Sequence, residues 1–507
     1  MRSARSIAVT VLAVVTFGSL LLTGGAAWHV RSAGYRKSCA SQLSRSLGLP
    51  AEIGRVVPRS RTAREFQQVR IWLPEKRGEA ALCERALVTQ TPTAEQPEAY
   101  ELELRGGHCE ISTRTWLRGD YRAVLESGLR PGFDPDGPRR VVFHGMDLSF
   151  EREQFRAGLD DAGGVVLFDD PHVGRATVTC RQLNGYAAPE PVTLRAEFSP
   201  QARGIRLDRV ELTVPELPIA IVGLKALTGL DLQTGTFGGR VVYRETGSQR
   251  ELSVSGRVKD VQLAECTGAF LSPAWRGRAP DVELMELAVV DGVPQWAAFR
   301  GIFTDVALGD ILAAVGLQDI DGDVVLRIQS AELSPDGVDR FVASGRCARL
   351  SLDRLTAALG WGRMSGQARL VIDDLTVESN RLASLDAEII VEPTGPESDW
   401  IERNLLSEVL RRTIGFALPS FLPDRFEYTQ LGVRLEVRDE TLYVFGTHGA
   451  GQKTILSVRI GEQELPVVPE PERPIDLRPL CNELRARLTA QLAGHLRRLK
   501  AEAAATE

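Results

Sequence analysis

The chain has 507 residues, of which 43% are hydrophobic and 25% charged, and its formal net charge is −6. This hydrophobic content is sufficient for a folded core and excludes a wholly disordered chain. The near-balanced charge argues against a dedicated nucleic-acid-binding protein, which would carry a basic stripe. The length corresponds to about three domains, or to one elongated repetitive domain.

The N-terminal segment from Ile7 to Trp28 contains no charged residue. As an α-helix it would be about 33 Å long, enough to cross a hydrocarbon core of roughly 30 Å. A cleaved signal peptide is the alternative, because Gly25-Ala26-Ala27 offers small residues for cleavage. We favour an uncleaved anchor, since the apolar run is long and ends at Trp28, a residue type enriched at membrane interfaces. Both interpretations predict that the rest of the chain is exported.

Seven cysteines are spread along the chain without a C-x-x-C pair. This spacing does not match a structural zinc site. In an exported chain an odd number of cysteines cannot all pair internally, and Cys83 with Cys109 is the candidate disulfide.

The residues before 100 predict an amphipathic stretch over 39–49 and short strands at 53–56, 69–73 and 81–88. Beyond residue 100 the main signal is the alternation of apolar and charged residues. It is clear in the segments 205–214, 368–372 and 433–437. Period-two patterning is typical of strands with one buried and one wet face. No long run of βαβ units occurs between residues 130 and 395. The sequence therefore predicts a mainly antiparallel β fold.

An internal repeat lies within this β region. The segment Val306–Gly316 (VALGDILAAVG) aligns with Leu350–Gly360 (LSLDRLTAALG) at an offset of 44 residues. Gly229 precedes Gly316 by about two periods, which predicts a diverged copy between them. Strands, a turn and one short helical piece per period indicate stacked supersecondary units. We predict an elongated, curved array of strands; propeller blades, which have a similar period, are the alternative.

The last hundred residues differ in character. Apolar residues at helical spacing predict a helix over Trp400–Phe416, followed by a strand meander from Pro423 to Ile460. A linker rich in proline and glutamate, 466–474, then leads to a terminal helix with a leucine stripe.

Motifs that would indicate catalysis or metal binding are weak. Asp319–Asp323 looks like a calcium loop, but its glycine falls fourth and position 12 is Ser330 rather than glutamate. The acid pairs Asp160-Asp161 and Asp169-Asp170 read as acidic turns around a strand, or as the site of a hydrolase. No G-x-S-x-G elbow, P-loop or H-E-x-x-H motif is present. We predict no catalytic residues, no metal site and no cofactor.

The order of several motifs resembles that of AsmA-like proteins. An apolar anchor and a helix ending in Leu47–Pro50 precede the strands Ile53–Val56 and Gln68–Pro74. Near the C-terminus, Leu422–Tyr428 and Leu431–Leu442 are similar to the strand meander that closes many of these proteins.

This resemblance to the AsmA, TamB and YhdP group implies a β-groove protein anchored as a single-pass protein in the inner membrane, by residues 7–28, with its bulk in the periplasm. It further implies a role in phospholipid transport or outer-membrane assembly, with membrane phospholipid and envelope proteins as partners and no nucleic acid. The alternative is a structural or adhesive β-repeat protein that binds protein or glycan partners.

An apolar groove would attract lipid tails, because burying a CH₂ group is worth about 0.8 kcal/mol. The alternating apolar residues are the candidates for its lining, and a closed sandwich core is the alternative role for them. These candidates are Leu207, Leu212, Leu326, Ile328, Leu370, Ile372, Val433 and Leu435.

The sequence divides into six segments on this interpretation. They are an anchor or signal peptide (1–38), a helix and the first strands (39–130), the β-repeat region (131–395), an amphipathic helix with a linker (396–424), the strand meander (425–465), and a linker with an amphipathic helix (466–507).

Overall fold

A computed structural model gives the structure of the protein. It describes residues 32–47, 50–72, 79–92, 99–112, 138–152, 155–170, 172–200, 205–222, 232–246, 249–267, 274–291, 293–313, 320–358, 362–391 and 399–478. The predicted anchor 7–28 and the predicted terminal helix beyond residue 478 lie outside these ranges. Among the described helices, none is long and apolar enough to cross a membrane.

Strands dominate the described residues, so the predicted fold class, mainly β with short helices, is confirmed. The strands are β1 Ala51–Pro58, β2 Ala63–Trp72, β3 Glu79–Gln90, β4 Tyr100–Ser112, β5 Pro138–Arg152, β6 Phe155–Asp170, β7 Val173–Leu183, β8 Tyr186–Pro200, β9 Ile205–Pro218, β10 Thr236–Thr246, β11 Gln249–Lys259, β12 Val261–Gln262, β13 Arg278–Val290, β14 Val293–Ala307, β15 Asp323–Ser334, β16 Gly337–Ser351, β17 Gln367–Glu378, β18 Arg381–Val391, β19 Trp400–Glu402, β20 Arg425–Arg438, β21 Thr441–Gly446, β22 Thr454–Ile460, β23 Gln463–Pro469 and β24 Ile475–Asp476. The helices are α1 Ala33–Leu47, α2 Ile219–Val222, α3 Leu263–Thr267, α4 Leu308–Ala313, α5 Leu352–Ala358 and α6 Arg403–Ile414.

The chain folds as two compact units. Unit 1 comprises residues 1–229 and 237–254, and unit 2 comprises residues 230–236 and 255–507. In unit 1, strands β1 to β9 pair in chain order. All of these pairs are antiparallel except β4 with β5, which run parallel. Helix α1 contributes Tyr35, Cys39 and Leu43 to the buried side chains.

In unit 2, strands β13 to β18 also pair antiparallel in chain order, and β18 continues to β20. Strand β20 then pairs with β19, β21 and β22 along different parts of its length. Hydrogen bonds join the described strands into one sheet. Separate four-stranded blades, one of the alternatives from the sequence, do not fit this pairing.

Short helices recur at a fixed interval between strands, as the repeat predicted. Helices α2, α3, α4 and α5 begin at Ile219, Leu263, Leu308 and Leu352, so their spacing is 44, 45 and 44 residues. The diverged copy predicted between Gly229 and Gly316 therefore corresponds to α3 and its flanking strands. In three of these copies the amide of the first helical residue donates to a glycine carbonyl. The pairs are Leu263 with Gly277, Leu308 with Gly322 and Leu352 with Gly366, at 3.0, 2.9 and 3.1 Å.

The third residue of α3, α4 and α5 binds the chain about 33 residues earlier, and we call these three contacts the helix latches. Each connects the helix of one repeat to the strand connection of the repeat before it. The latches are Glu265 Oε2 with the amides of Gln233 and Thr234 at 2.8 and 3.0 Å, Asp310 with Arg276, and Arg354 Nη1 with Asp321 Oδ1 at 2.8 Å. In the third latch the helix supplies the arginine and the connection supplies the acid, the reverse of the second latch. The acid that resembled a calcium ligand in the sequence, Asp321, is thus an ion-pair partner.

The predicted disulfide is wrong. Cys83 lies on β3 and Cys109 on β4, but their strand partners are Gly107 and Ala81, so the two thiols are out of register by two residues. Both cysteines are free and buried, and burial raises the pKa of Cys83 to about 11 and of Cys109 to about 12.

These two thiols are expected to resist alkylation in the folded protein. At pH 8 fewer than about one in a thousand would be the reactive thiolate, because the pKa lies at least three units higher. Iodoacetamide labelling followed by peptide mass mapping should therefore modify Cys83 and Cys109 only after unfolding in urea. A Cys83–Cys109 cross-linked peptide in a non-reduced digest would contradict the structure.

The acid pairs do not lie in turns. Residues 155–170 form the single strand β6, and Asp161 occupies a left-handed conformation (φ 50°) at a bulge opposite β5. Its amide donates to Asp147 Oδ1 at 2.9 Å. The prediction of acidic turns around a strand is therefore wrong, because β6 extends through both acid pairs.

Candidate functional site

The predicted lining residues of unit 2 lie together on one face of its sheet. Residues that pair directly across antiparallel strands project from the same face, so the register defines rows of side chains. The first row is Val324, Cys347, Leu370, Ile389 and Val433; the second is Leu326, Gly345, Ile372, Ala387 and Leu435; the third is Ile328, Ala343, Leu375, Leu385 and Val437. We call these three rows the apolar face of unit 2. Six of the eight predicted residues belong to it.

Bulges preserve this face where simple alternation fails. In β17 the register shifts between Ile372 and Asp374, so that Leu375, three residues after Ile372, joins the next row. A similar shift in β15 follows Ile328. A bulge adds one residue to a strand and returns later side chains to the original face. Leu375 could not be assigned from period-two patterning, which places it on the opposite side from Ile372.

Burial varies within each row of the apolar face. Val324 and Cys347 of the first row are buried in a core that also contains Leu405 and Leu406 of α6. The other first-row residues are half-buried, as are the large residues of the second row, Leu326, Ile372 and Leu435. Apolar surface that is partly accessible to water therefore extends over both rows.

The second row alternates large and small residues. Leu326, Ile372 and Leu435 are separated by Gly345, which is partly exposed, and by Ala387, which is buried. A Cβ on Gly345 would approach the Val325 carbonyl oxygen to 2.8 Å, which is closer than real Cβ contacts. The position beside Leu326 therefore requires glycine.

The opposite face of unit 2 carries charged cross-strand pairs. Arg434 donates to both carboxylate oxygens of Asp386 at 3.0 and 2.7 Å, and these hydrogen bonds raise the pKa of the guanidinium. Arg300 on β14 likewise pairs with Glu283 on β13. One face of the sheet is thus apolar and the other is polar and charged.

The two remaining candidates, Leu207 and Leu212, lie on β9 in unit 1. Leu207 pairs with Phe198 and Leu212 with Leu194 on β8. Although 207 and 212 differ in parity, a register shift opposite Glu197 and Phe198 brings both to positions paired with the even-numbered residues of β8. The row of Leu212 continues through Val178 on β7 and Gly164 on β6, and that of Leu207 continues to Gly174 on β7. Unit 1 thus has an apolar face of its own.

The sequence motifs considered for metal binding occupy ordinary structural positions in the described part of the chain. Within the described ranges, no three or more His, Cys, Asp or Glu side chains are placed to hold a metal ion. His108, next to Cys109, lies 3.2 Å from Glu79 on the adjacent strand. Asp323 of the calcium-like segment pairs with Arg349 at 2.7 Å. A depression of about 250 Å³ in unit 1 includes Glu101, Glu103 and Arg140 in its wall and lies apart from the predicted lining residues.

Several apolar residues that share this face were missed by sequence reasoning. Phe303 on β14 pairs with Leu326 and extends the second row, and Phe299 and Phe341 pack around Ile328. Their segments hold too few strictly alternating residues to stand out. The offset of 44 residues could have found Phe303, because it precedes α4 as Cys347 precedes α5.

Comparison of the chain with protein-family models, with curated proteins and with solved structures gave no match.

Proposed function

We propose that this protein is a membrane-anchored envelope protein that binds phospholipid acyl chains on the apolar face of unit 2 and acts in phospholipid transport or outer-membrane assembly. The observation that carries the proposal is the half-buried apolar surface of that face, which includes Leu326, Ile372 and Leu435 in a row that crosses five strands with no charged member. Contiguous apolar surface that is left accessible on a folded protein commonly marks a binding site.

The shape of the row suits an acyl chain rather than a compact ligand. The row is linear across the strands and alternates large apolar side chains with the small residues Gly345 and Ala387, and each CH₂ group buried on it would contribute about 0.8 kcal/mol. The charged pairs on the reverse side, such as Arg434 with Asp386, favour contact with water. The charged face of the sheet would therefore stay hydrated while lipid covers the apolar face. The proposed role is binding and transfer, without catalysis.

Site-specific photo-crosslinking tests this proposal on the full-length chain in the membranes of expressing cells. A benzophenone side chain would replace Ile372, on the apolar face, or its neighbour Val371, on the charged face; both are half-buried. We expect phospholipid adducts at position 372 at least about tenfold above those at 371, since successive strand residues project to opposite faces. Leu435→Asp should reduce the adduct at 372, because Leu435 joins the same row through Ala387.

Equal phospholipid labelling at 371 and 372 would refute binding by one face. Protein or glycan adducts at 372 in place of lipid would support the structural or adhesive alternative instead.

A further inference from the structure

Exposed apolar side chains are concentrated in the connection between α6 and β20, residues 414–422, which we call the apolar loop. Ile414 is 54% exposed, Phe416 51% and Phe421 85%. Of the eleven exposed large hydrophobic residues in the described ranges, three fall within these nine consecutive positions. Scattered exposed apolar residues are normal, whereas a concentration of them indicates an interaction surface.

The apolar loop is fixed by hydrogen bonds to α6. Gly415 adopts a left-handed conformation (φ 72°) that ends the helix, and its amide donates to the Arg411 carbonyl. The amide of Leu418 donates to Ser407 Oγ at 3.0 Å. Arg403 donates from one Nη1 to the carbonyls of Ser420 and Leu422 at 2.7 and 2.6 Å. The exposed side chains are therefore presented by an ordered backbone.

The same loop also buries apolar side chains. Leu418 and Leu422 pack against the core of unit 2, while Phe416 and Phe421 project outward. The core thus accepts two large residues of this loop and excludes the aromatic ones. Phe421 is the most exposed large hydrophobic residue described in the chain, which suits insertion into a fluid layer better than contact with a flat protein surface.

The segment around the loop has an excess of basic residues. Residues 403–425 contain four arginines against two acids, in a chain with a net charge of −6. The acids Glu408 and Asp424 are paired with Arg411 and Arg403. An excess of two positive charges remains, and Arg425 follows the loop. Arginine beside protruding aromatic and aliphatic side chains is the combination that binds the surface of an anionic bilayer.

We propose that the apolar loop is a membrane contact, in which Ile414, Phe416 and Phe421 enter the interfacial layer of a bilayer containing anionic phospholipid. This contact is separate from the predicted anchor 7–28 and does not depend on acyl-chain binding by the apolar face of unit 2. It would attach the folded part of the chain to a lipid surface at a second place.

The test uses the full-length protein in nanodiscs of phosphatidylcholine, which supply lipid for the predicted anchor 7–28. These discs are mixed with large vesicles of phosphatidylcholine and phosphatidylglycerol at about three to one, and the protein that floats with the vesicles is measured. We expect flotation of the wild type well above that of empty discs. Phe416→Ser/Phe421→Ser should lower the bound fraction at least about tenfold.

The matched control is Tyr443→Ser/Phe445→Ser, which removes two exposed aromatic side chains from β21, each 37% exposed. It should float like the wild type. Phe421→Ser alone, at the most exposed position, gives a second variant whose folding is least affected.

Flotation no greater than that of empty discs, unchanged binding by Phe416→Ser/Phe421→Ser, or an equal loss in the control would each overturn the proposal. So would equal binding to vesicles of pure phosphatidylcholine. Lipid crosslinking at position 372 should be unchanged in the loop variants, which separates this contact from the proposed lipid-binding face.

Discussion

Gly366→Ala is expected to lower the free energy of unfolding by about 3 kcal/mol, because it combines backbone strain with overpacking. Gly366 has φ 113°, a conformation that L-amino acids rarely adopt, and its carbonyl accepts from the amide of Leu352 at the start of α5. An added Cβ would lie inside van der Waals contact with the hydroxyl of Tyr428. That hydroxyl cannot withdraw easily, since Tyr428 is 1% exposed and donates to the Ser365 carbonyl at 2.6 Å.

The matched control for this variant is Gly415→Ala. Gly415 also has a positive φ, of 72°, but a Cβ there would meet no atom within 4 Å. It should cost only about 1 kcal/mol, the strain of a left-handed residue. Urea unfolding followed by tryptophan fluorescence measures both. Equal losses in the two variants would show that the contact with Tyr428 does not matter.

Asp310→Asn is expected to destabilise the protein by about 2 kcal/mol at pH 7, the range for hydrogen bonds to a charged group. Asp310 is 8% exposed and forms the second helix latch. Its Oδ2 accepts from the amide and Nε of Arg276 at 2.8 and 3.0 Å, and its Oδ1 accepts from Nη2 at 3.0 Å. Asparagine retains one acceptor and turns an amide donor toward the guanidinium.

The same latch makes stability depend on pH. Burial alone would raise the pKa of Asp310, but the hydrogen bonds and charge of Arg276 outweigh it and hold that pKa below its ordinary value of 3.8. A carboxylate with a depressed folded-state pKa stabilises fully above its unfolded value, and this contribution is lost as the pH falls through the folded value. Unfolding curves at pH 7 and pH 3 should therefore differ more for the wild type than for Asp310→Asn.

Asp323→Asn is the control for this prediction. Asp323 pairs with Arg349 at 2.7 Å, but both side chains are more than half exposed. An exposed ion pair is worth under about 1 kcal/mol. If Asp323→Asn cost as much as Asp310→Asn, the burial of the latch would not explain its strength.

The helix latches show what a repeat can and cannot tell in advance. The offset of 44 residues located α4 and α5 from the sequence, because Leu308 and Leu352 open similar segments that share an Ala-Ala pair and a closing glycine. The partners of the third helical residue were not predictable. Glu265, Asp310 and Arg354 differ in charge, and each partner lies in an earlier connection that no local pattern joins to the helix.

The sequence by itself determined the fold class, the repeat period and the amphipathic nature of the strands. Period-two alternation and the recurrence of Leu-rich helical pieces are local properties, and local propensity is sufficient to set them. It also identified six residues, among them Ile372 and Leu435, that share one face of unit 2.

Only the tertiary structure decided the register. Bulges placed Leu375 beside Ile372 and aligned Leu207 with Leu212 through β8, although their spacing in the sequence suggests opposite faces. The register also left Cys83 and Cys109 unpaired, and the burial of Leu418 and Leu422 decided that Phe416 and Phe421 project outward. These outcomes depend on hydrogen bonds between strands and on packing between distant segments, and a local sequence pattern contains neither.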